Sequence, residues 1–359
     1  MGLSNGEGRL RGVLLGAGSI APHHMLAWDA IDDVEIVAIA DPVRSRALAL
    51  ADRHGISADH VYPDHVTALA AEHIDFVDIA TVPALHRELV MYAADRGLSI
   101  LCQKPFVDSL ADARFLADYC ADKGVRCVVN ENWRWRPWYR RIKSLLDEGA
   151  VGMPHYAAVT CHRDLVLPNA DGTHPDLLVR QPYTRDMPRL ILLEWGIHLI
   201  DVMRYLFGPI TSVDAGLRRV SPFVRGEDVA RVQFRFNSGL EALLDISWAS
   251  RTRPERRLVR GNVEPMVIEG DAGTLELDPM TDDSLFVTTV AGTRREAARG
   301  AMTPTEAYQV SYENCQRNFV RSLLAGGPTE NEAADNAETL AATFAAYESA
   351  ETGKPVNLS

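Results

Sequence analysis

The run Leu10-Arg11-Gly12-Val13-Leu14-Leu15-Gly16-Ala17-Gly18-Ser19-Ile20-Ala21 constrains the chain more than any other stretch. A short apolar strand ends in Gly-x-Gly and passes directly into an amphipathic segment, the context that a dinucleotide-binding fingerprint requires. Gly16 suits the tight turn, Gly18 lets the backbone approach a pyrophosphate, and Ala21 allows close packing of helix on strand. Free N–H groups at the helix start, around Ser19 and Ile20, favour an anion. Read alone, the run is equally an ordinary glycine-rich turn. Asp41 adds to it: it closes the second apolar run, 23 residues beyond Gly18, close to the roughly 20-residue offset of a carboxylate that holds the adenosine ribose. A carboxylate there repels a 2′-phosphate, so NAD is expected over NADP, with Arg44 and Arg46 just downstream to soften the preference.

The rhythm around this run sets the fold class. Strand candidates at Leu10 to Leu15, Val34 to Ala40, Phe76 to Ala80, Leu98 to Leu101 and Arg126 to Val129 alternate with helical stretches at Ser19 to Ile31, Arg44 to His54, Leu85 to Arg96 and Leu110 to Lys123. Such alternation predicts an α/β Rossmann domain with a doubly wound parallel sheet over residues 9–130. Beyond it, helices are expected at Pro137 to Glu148, Leu190 to Leu206, Thr303 to Leu324 and Ala333 to Glu351, and a polar stretch from Arg163 to Arg189 lacks periodicity. Strand-like runs between Val213 and Val290 predict a mainly antiparallel open sheet, so residues 131–359 read as an α+β domain for substrate and assembly.

Composition excludes several classes. A net charge of −12 without dense basic runs argues against nucleic acid. The five cysteines, Cys102, Cys120, Cys127, Cys161 and Cys315, form no CxxC pair and no cluster at metal spacing, so reduced thiols and no metal are expected. Nothing resembles a signal peptide or a membrane span, and a cytoplasmic protein is the expectation.

Two segments carry chemistry. Cys102-Gln103-Lys104-Pro105-Phe106 ends the fifth strand, where ligands of an open α/β sheet collect, and a lysine emerging there from apolar surroundings is suited to exchange a proton. A plain surface lysine at a strand end is the alternative. In Leu192-Leu193-Glu194-Trp195-Gly196-Ile197-His198-Leu199-Ile200-Asp201, Glu194 and His198 lie four residues apart on one helical face. Carboxylate and imidazole in an apolar helix need partners or a task; Asp201 reads as a structural partner.

Together, the glycine fingerprint, Thr81 with Pro83 and His86, the Lys104-Pro105 pair, and Gly196-Ile197-His198 followed by Asp201 resemble the glucose-fructose oxidoreductase, inositol dehydrogenase and MocA family, in order over nearly the whole chain. The resemblance implies a Rossmann domain followed by a domain with a large open antiparallel sheet. It implies Thr81, Pro83, His86, Gln103 and Lys104 on the cofactor side, and Lys104, Glu194 and His198 against the substrate. Two positions depart from the family pattern: Gln103 stands where the family has Glu before Lys-Pro, and Glu194 where it has Asp. Cys102 to Phe106, Glu131-Asn132-Trp133-Arg134-Trp135 and Gln181-Pro182-Tyr183 are similar, more narrowly, to the family's apiose dehydrogenase branch.

The expected activity is therefore hydride transfer between a sugar or polyol carbinol and NAD, with Lys104 or His198 handling the hydroxyl proton and Glu194 holding a hydroxyl. Trp133, Arg134, Arg163, His174 and Tyr183 are candidates for substrate selection. An NAD-assisted glycosidase and a non-enzymatic regulator that senses nucleotide or sugar are the alternatives. An open sheet with one uncovered face suggests a dimer or tetramer.

Overall fold

A sheet buried on both faces needs strands that are apolar throughout, and the first third of the chain supplies them. The computed structural model of the protein describes residues 8–169, 172–173, 175–251, 263–280 and 283–358. It divides into two units, Met1–Trp135 with Gln309–Leu340 and Arg136–Tyr308 with Ala341–Ser359.

In the first unit the chain runs β1 (Leu10–Leu15), α1 (Ala21–Asp29), β2 (Val34–Ala40), α2 (Arg44–Arg53), β3 (Val61–Tyr62), α3 (His65–Ala71), β4 (Phe76–Ile79), α4 (Pro83–Ala94), β5 (Ser99–Gln103), α5 (Leu110–Asp122) and β6 (Cys127–Asn130). The strands form one parallel sheet in the order β3-β2-β1-β4-β5-β6. The spacing predicts five of these strands to within a residue or two; β3 and α3 are additions. Val13, Leu14, Ile39, Val77, Ile79, Ile100, Leu101 and Val129 are fully buried. Helix starts are fixed locally: the Asp64 carboxylate accepts the Thr67 N–H at 2.8 Å, and the Ser109 hydroxyl accepts the Asp112 N–H at 3.0 Å, caps worth about 1 kcal/mol each.

Register then places the chemistry. Leu15 pairs with Ala40 and Ile79, Ile79 with Cys102, and Gln103 with Asn130. The residues that step off this shared carboxyl edge are Gly16, Asp41, Ala80 with Thr81, Lys104 and Glu131. Strand order reverses between β1 and β4, the crevice where open α/β sheets bind ligands.

The second unit is built on a nine-stranded mixed sheet. It contains α6 (Pro137–Asp147), β7 (Pro154–His162), α7 (Asp176–Arg180), a π-helical turn at Leu192–Gly196, α8 (Ile197–Phe207), β8 (Ile210–Arg218), β9 (Val229–Phe236), β10 (Glu241–Ser247), β11 (Met266–Gly270), β12 (Gly273–Asp278), β13 (Ser284–Thr289), β14 (Gly292–Ala297) and β15 (Val356–Asn357). The order is β14-β13-β12-β11-β7-β10-β9-β8-β15, antiparallel except for β7 beside β10. Along β9, Ala230, Val232, Phe234 and Phe236 are buried while Arg231, Gln233 and Arg235 face outward, the alternation of a sheet covered on one face. Two long helices, α9 (Pro304–Ala325) and α10 (Ala333–Thr352), complete the chain. No helix among the described residues is long and apolar enough to cross a membrane.

Candidate functional site

Gly16 sits at φ +103°, and a Cβ there would lie 2.6 Å from the Ala80 carbonyl oxygen. Only glycine fits the turn. Above Gly18, by contrast, a Cβ would meet no atom within 4 Å, so the loop backbone is open to an approaching group. α1 begins with no side-chain cap and no acidic residue in its first turn, which leaves its start receptive to an anion. Asp41 is buried; Oδ2 accepts the Ala17 N–H and Oδ1 the Val43 N–H, both at 2.7 Å. A carboxylate held by two backbone donors still has lone pairs for two ribose hydroxyls. Arg44 donates to the Val61 carbonyl at 2.9 Å, and Arg46 is exposed. Open backbone, uncapped helix and fixed carboxylate fit a dinucleotide.

Pro83 opens α4 and Thr81 lies just before it, at the edge of the same crevice. His86 is fully buried: Nδ1 faces the Phe106 and Pro105 carbonyls at 2.9 and 3.2 Å, and Nε2 faces the Thr81 carbonyl at 3.2 Å. It ties the loop after β4 to the loop after β5. Burial lowers its pKa, outweighing the three carbonyl contacts that favour the cation.

Lys104 is half-buried at the end of β5, joined to Pro105 by a cis peptide bond. Beneath it Cys102 is fully buried, and burial together with the Asp78 carboxylate pushes its thiol pKa well up. Gln103 is turned inward: its Oε1 accepts the Lys104 N–H at 2.6 Å, and its Nε2 lies 3.1 Å from His24 Nε2. Trp133 is buried, and Arg134 pairs with Asp335 at 3.1 Å. The guanidinium thus has a structural partner within the first unit.

In the second unit, Glu194 lies in the π turn and His198 in the first turn of α8, where the sequence suggests one continuous helix. A π turn is an irregularity often found at functional sites. Gly196 permits it to press on the sheet: a Cβ there would come within 2.9 Å of the Leu192 side chain and 3.2 Å of Ile246 on β10. His198 is buried, and Glu194 is half-buried and accepts the Tyr183 hydroxyl at 3.0 Å. Two predicted site residues are thereby brought together. The Arg163 guanidinium stands 4.9 Å over the Trp195 ring and 4.0 Å from Glu264, which a buried Arg136 holds at 2.7 Å. Asp201 is fully buried. His174 lies outside the described residues.

Sequence reasoning passes over Glu227. Its buried carboxylate accepts the N–H groups of Leu190 and Leu192 at 3.0 and 3.1 Å and the Tyr347 hydroxyl at 2.6 Å. This anchors the start of the segment that carries Glu194 and His198. Burial and Glu227 together raise the Tyr347 pKa. No local motif announces Glu227. Asp78 and His24 are also missed, although a carboxylate inside Phe76-Val77-Asp78-Ile79 is itself a signal.

Comparison with known proteins follows the same division. Residues 10–131 match a family model described as an oxidoreductase family with an NAD-binding Rossmann fold, and residues 139–276 match the GFO/IDH/MocA C-terminal domain. A D-apiose dehydrogenase of Paraburkholderia graminis is 37% identical over 98% of this chain and 90% of its own length. A second D-apiose dehydrogenase, from Rhizobium rhizogenes, is 32% identical over 97% of both chains. Among solved structures, an oxidoreductase from Agrobacterium radiobacter in complex with NAD+, L-tartaric acid and magnesium superposes with a TM-score of 0.89 at 31% identity, covering 97% of this chain and 98% of the other.

Proposed function

The chain belongs to the glucose-fructose oxidoreductase, inositol dehydrogenase and MocA family, and from that premise we propose that it oxidises a carbinol of a branched pentose such as D-apiose, using NAD. It is an NAD(P)-dependent oxidoreductase acting on the CH–OH group of a sugar or polyol. The preference for NAD over NADP rests on Asp41, whose fixed charge stands where a 2′-phosphate would need a cation. The choice of sugar rests on similarity to two D-apiose dehydrogenases over nearly the full chain.

When bound, the nicotinamide accepts the hydride. The residues of the chain supply the rest. Gly16, Gly18, Ser19 and Ile20 receive the pyrophosphate, and Asp41 the ribose; Thr81, Pro83 and His86 shape the neighbouring loop. Lys104 or His198 takes the hydroxyl proton while the other hydrogen-bonds the oxygen, and Glu194, held by Tyr183, binds a second hydroxyl. Arg163, which stands over the Trp195 ring, and Tyr183, which donates to Glu194, select the substrate. Residues 131–359 supply the substrate and assembly domain, apart from Gln309–Leu340, which groups with the first unit, in a cytoplasmic dimer or tetramer that sedimentation would reveal.

The observation that carries the reading is Lys104 stepping off the same strand edge as Gly16 and Asp41. Initial rates of NAD and NADP reduction with aldoses, inositols and branched pentoses test it. Sugar-dependent NADH formation, fastest with the branched pentose, is expected. Net glycoside hydrolysis without NADH accumulation, or binding without turnover, would overturn it.

A further inference from the structure

Under the carboxyl edge of the parallel sheet lies a polar chain that belongs to no recognised part of the nucleotide fingerprint. His24 on α1 and Asp78 on β4 are both fully buried, and His24 Nδ1 lies 2.8 and 3.0 Å from the two Asp78 oxygens. Trp28 Nε1–H donates to Asp78 Oδ2 at 2.7 Å. On the other side of the ring, Nε2 faces Gln103 Nε2 at 3.1 Å and Asn130 Nδ2 at 3.3 Å. Tyr312 packs against the imidazole with ring centroids 5.5 Å apart, and the Gln316 amide donates to the His24 carbonyl at 3.3 Å.

The direction of every bond in this chain is set by one that cannot be reversed. The Lys104 backbone N–H can only donate, so the Gln103 oxygen must face it, at 2.6 Å. The Gln103 amide nitrogen then faces His24 Nε2, which must be a lone pair. The imidazole proton is therefore on Nδ1, donated to Asp78, which also accepts the Trp28 indole N–H. One side chain thus reads the Lys104 backbone on one end and the state of a buried histidine on the other.

We propose that Gln103 is a positioning residue: its amide fixes the backbone from which Lys104 emerges and locks it to a His24–Asp78 pair held in a single tautomer. The proposal rests on the reading of Lys104 as a proton-handling residue. A carboxylate at position 103 would accept the Lys104 N–H equally well, but it offers His24 Nε2 no hydrogen.

The test uses the full chain labelled with ¹⁵N-histidine, with His24 assigned by the signals lost in His24→Asn, at mildly alkaline pH. In the unsubstituted protein, long-range ¹H–¹⁵N spectra are expected to show His24 protonated on Nδ1 alone; protonation on Nε2 would overturn the proposal. In Gln103→Glu the carboxylate still accepts the Lys104 N–H, and kcat is expected to fall less than in Gln103→Met. Gln103→Met, which removes both hydrogen bonds at similar length, is expected to lose about 10²-fold in kcat. An unchanged kcat in Gln103→Met, or an equal loss in Gln103→Glu, would overturn the positioning role. If Gln103→Met fails to fold, the tautomer decides. Retained activity in Lys104→Ala would instead remove Lys104 from the chemistry and leave the His24 tautomer as found.

Discussion

Asp41 closes β2 and reaches back to the glycine loop, where its Oδ2 accepts the Ala17 N–H at 2.7 Å. The same carboxylate that is placed to receive a ribose therefore also holds the loop that receives the pyrophosphate. Loss of either task weakens the other. In Asp41→Ala, hydrogen bonds from Ala17 and Val43 to a charged acceptor disappear, each worth about 1.5–3 kcal/mol. We expect kcat/KM for NAD to fall by about 10- to 10²-fold, with a smaller fall for NADP, so that discrimination between the cofactors narrows. Steady-state kinetics with both cofactors check this, and an unchanged ratio would remove Asp41 as the selector.

Lys104 leaves β5 half-buried, its backbone N–H taken by Gln103. Lys104→Ala is expected to lower kcat by about 10²- to 10⁴-fold, the usual worth of general-base help, with NAD titrating as before. Lys104→Arg should not restore the rate, because a guanidinium does not give up its proton.

Glu227 is buried and holds the N–H groups of Leu190 and Leu192 together with the Tyr347 hydroxyl. Glu227→Leu leaves three donors without an acceptor and should cost about 3 kcal/mol or more. Glu227→Gln, which keeps one carbonyl oxygen there, should cost less. Denaturant midpoints give the stability difference. A fall in kcat/KM at temperatures where Glu227→Gln stays folded would show that this anchor also sets the position of Glu194 and His198.

His86 gives a pH dependence of defined sign. Its pKa in the folded chain lies below the ordinary imidazole value of 6.5 because burial penalises the cation. The unfolded chain therefore binds the proton first as pH falls. The stability that neutral His86 contributes is fully present above the unfolded value and declines below it, down to the folded value. Replacing the ring by an amide in His86→Gln should flatten the fall of stability with acidification below about pH 6.5. Unfolding curves across that range measure the slope, and an identical slope in both proteins would contradict this account.

The sequence is most legible where local chemistry is decisive. Gly16 needs its positive φ, and apolar runs such as Ile36 to Ala40 are buried on both faces, so a turn and a strand can be read directly. β3 escapes because two residues, Val61 and Tyr62, carry no periodicity. β7 escapes for a different reason: Tyr156, Ala158 and Thr160 alternate only weakly with Ala157, Val159 and Cys161, although the strand sits in the middle of the second sheet. The i, i+4 spacing of Glu194 and His198 is visible, but the π turn between them depends on Gly196 meeting Ile246, fifty residues later. Glu227 and Leu190, or His24 and Asp78, meet only when the chain folds, and no spacing encodes such a contact.

The similarity that suggests a branched pentose is a property of the whole chain, whereas the chemistry is a property of a few atoms. The most direct measurement follows those atoms: a pentose deuterated at the reacting carbinol carbon is incubated with the enzyme and NAD, and the deuterium is located by NMR. Deuterium is expected on C4 of the reduced nicotinamide, in equal amount to the oxidised sugar. Deuterium lost to water, or retained in a hydrolysed sugar with no NADH formed, would contradict it.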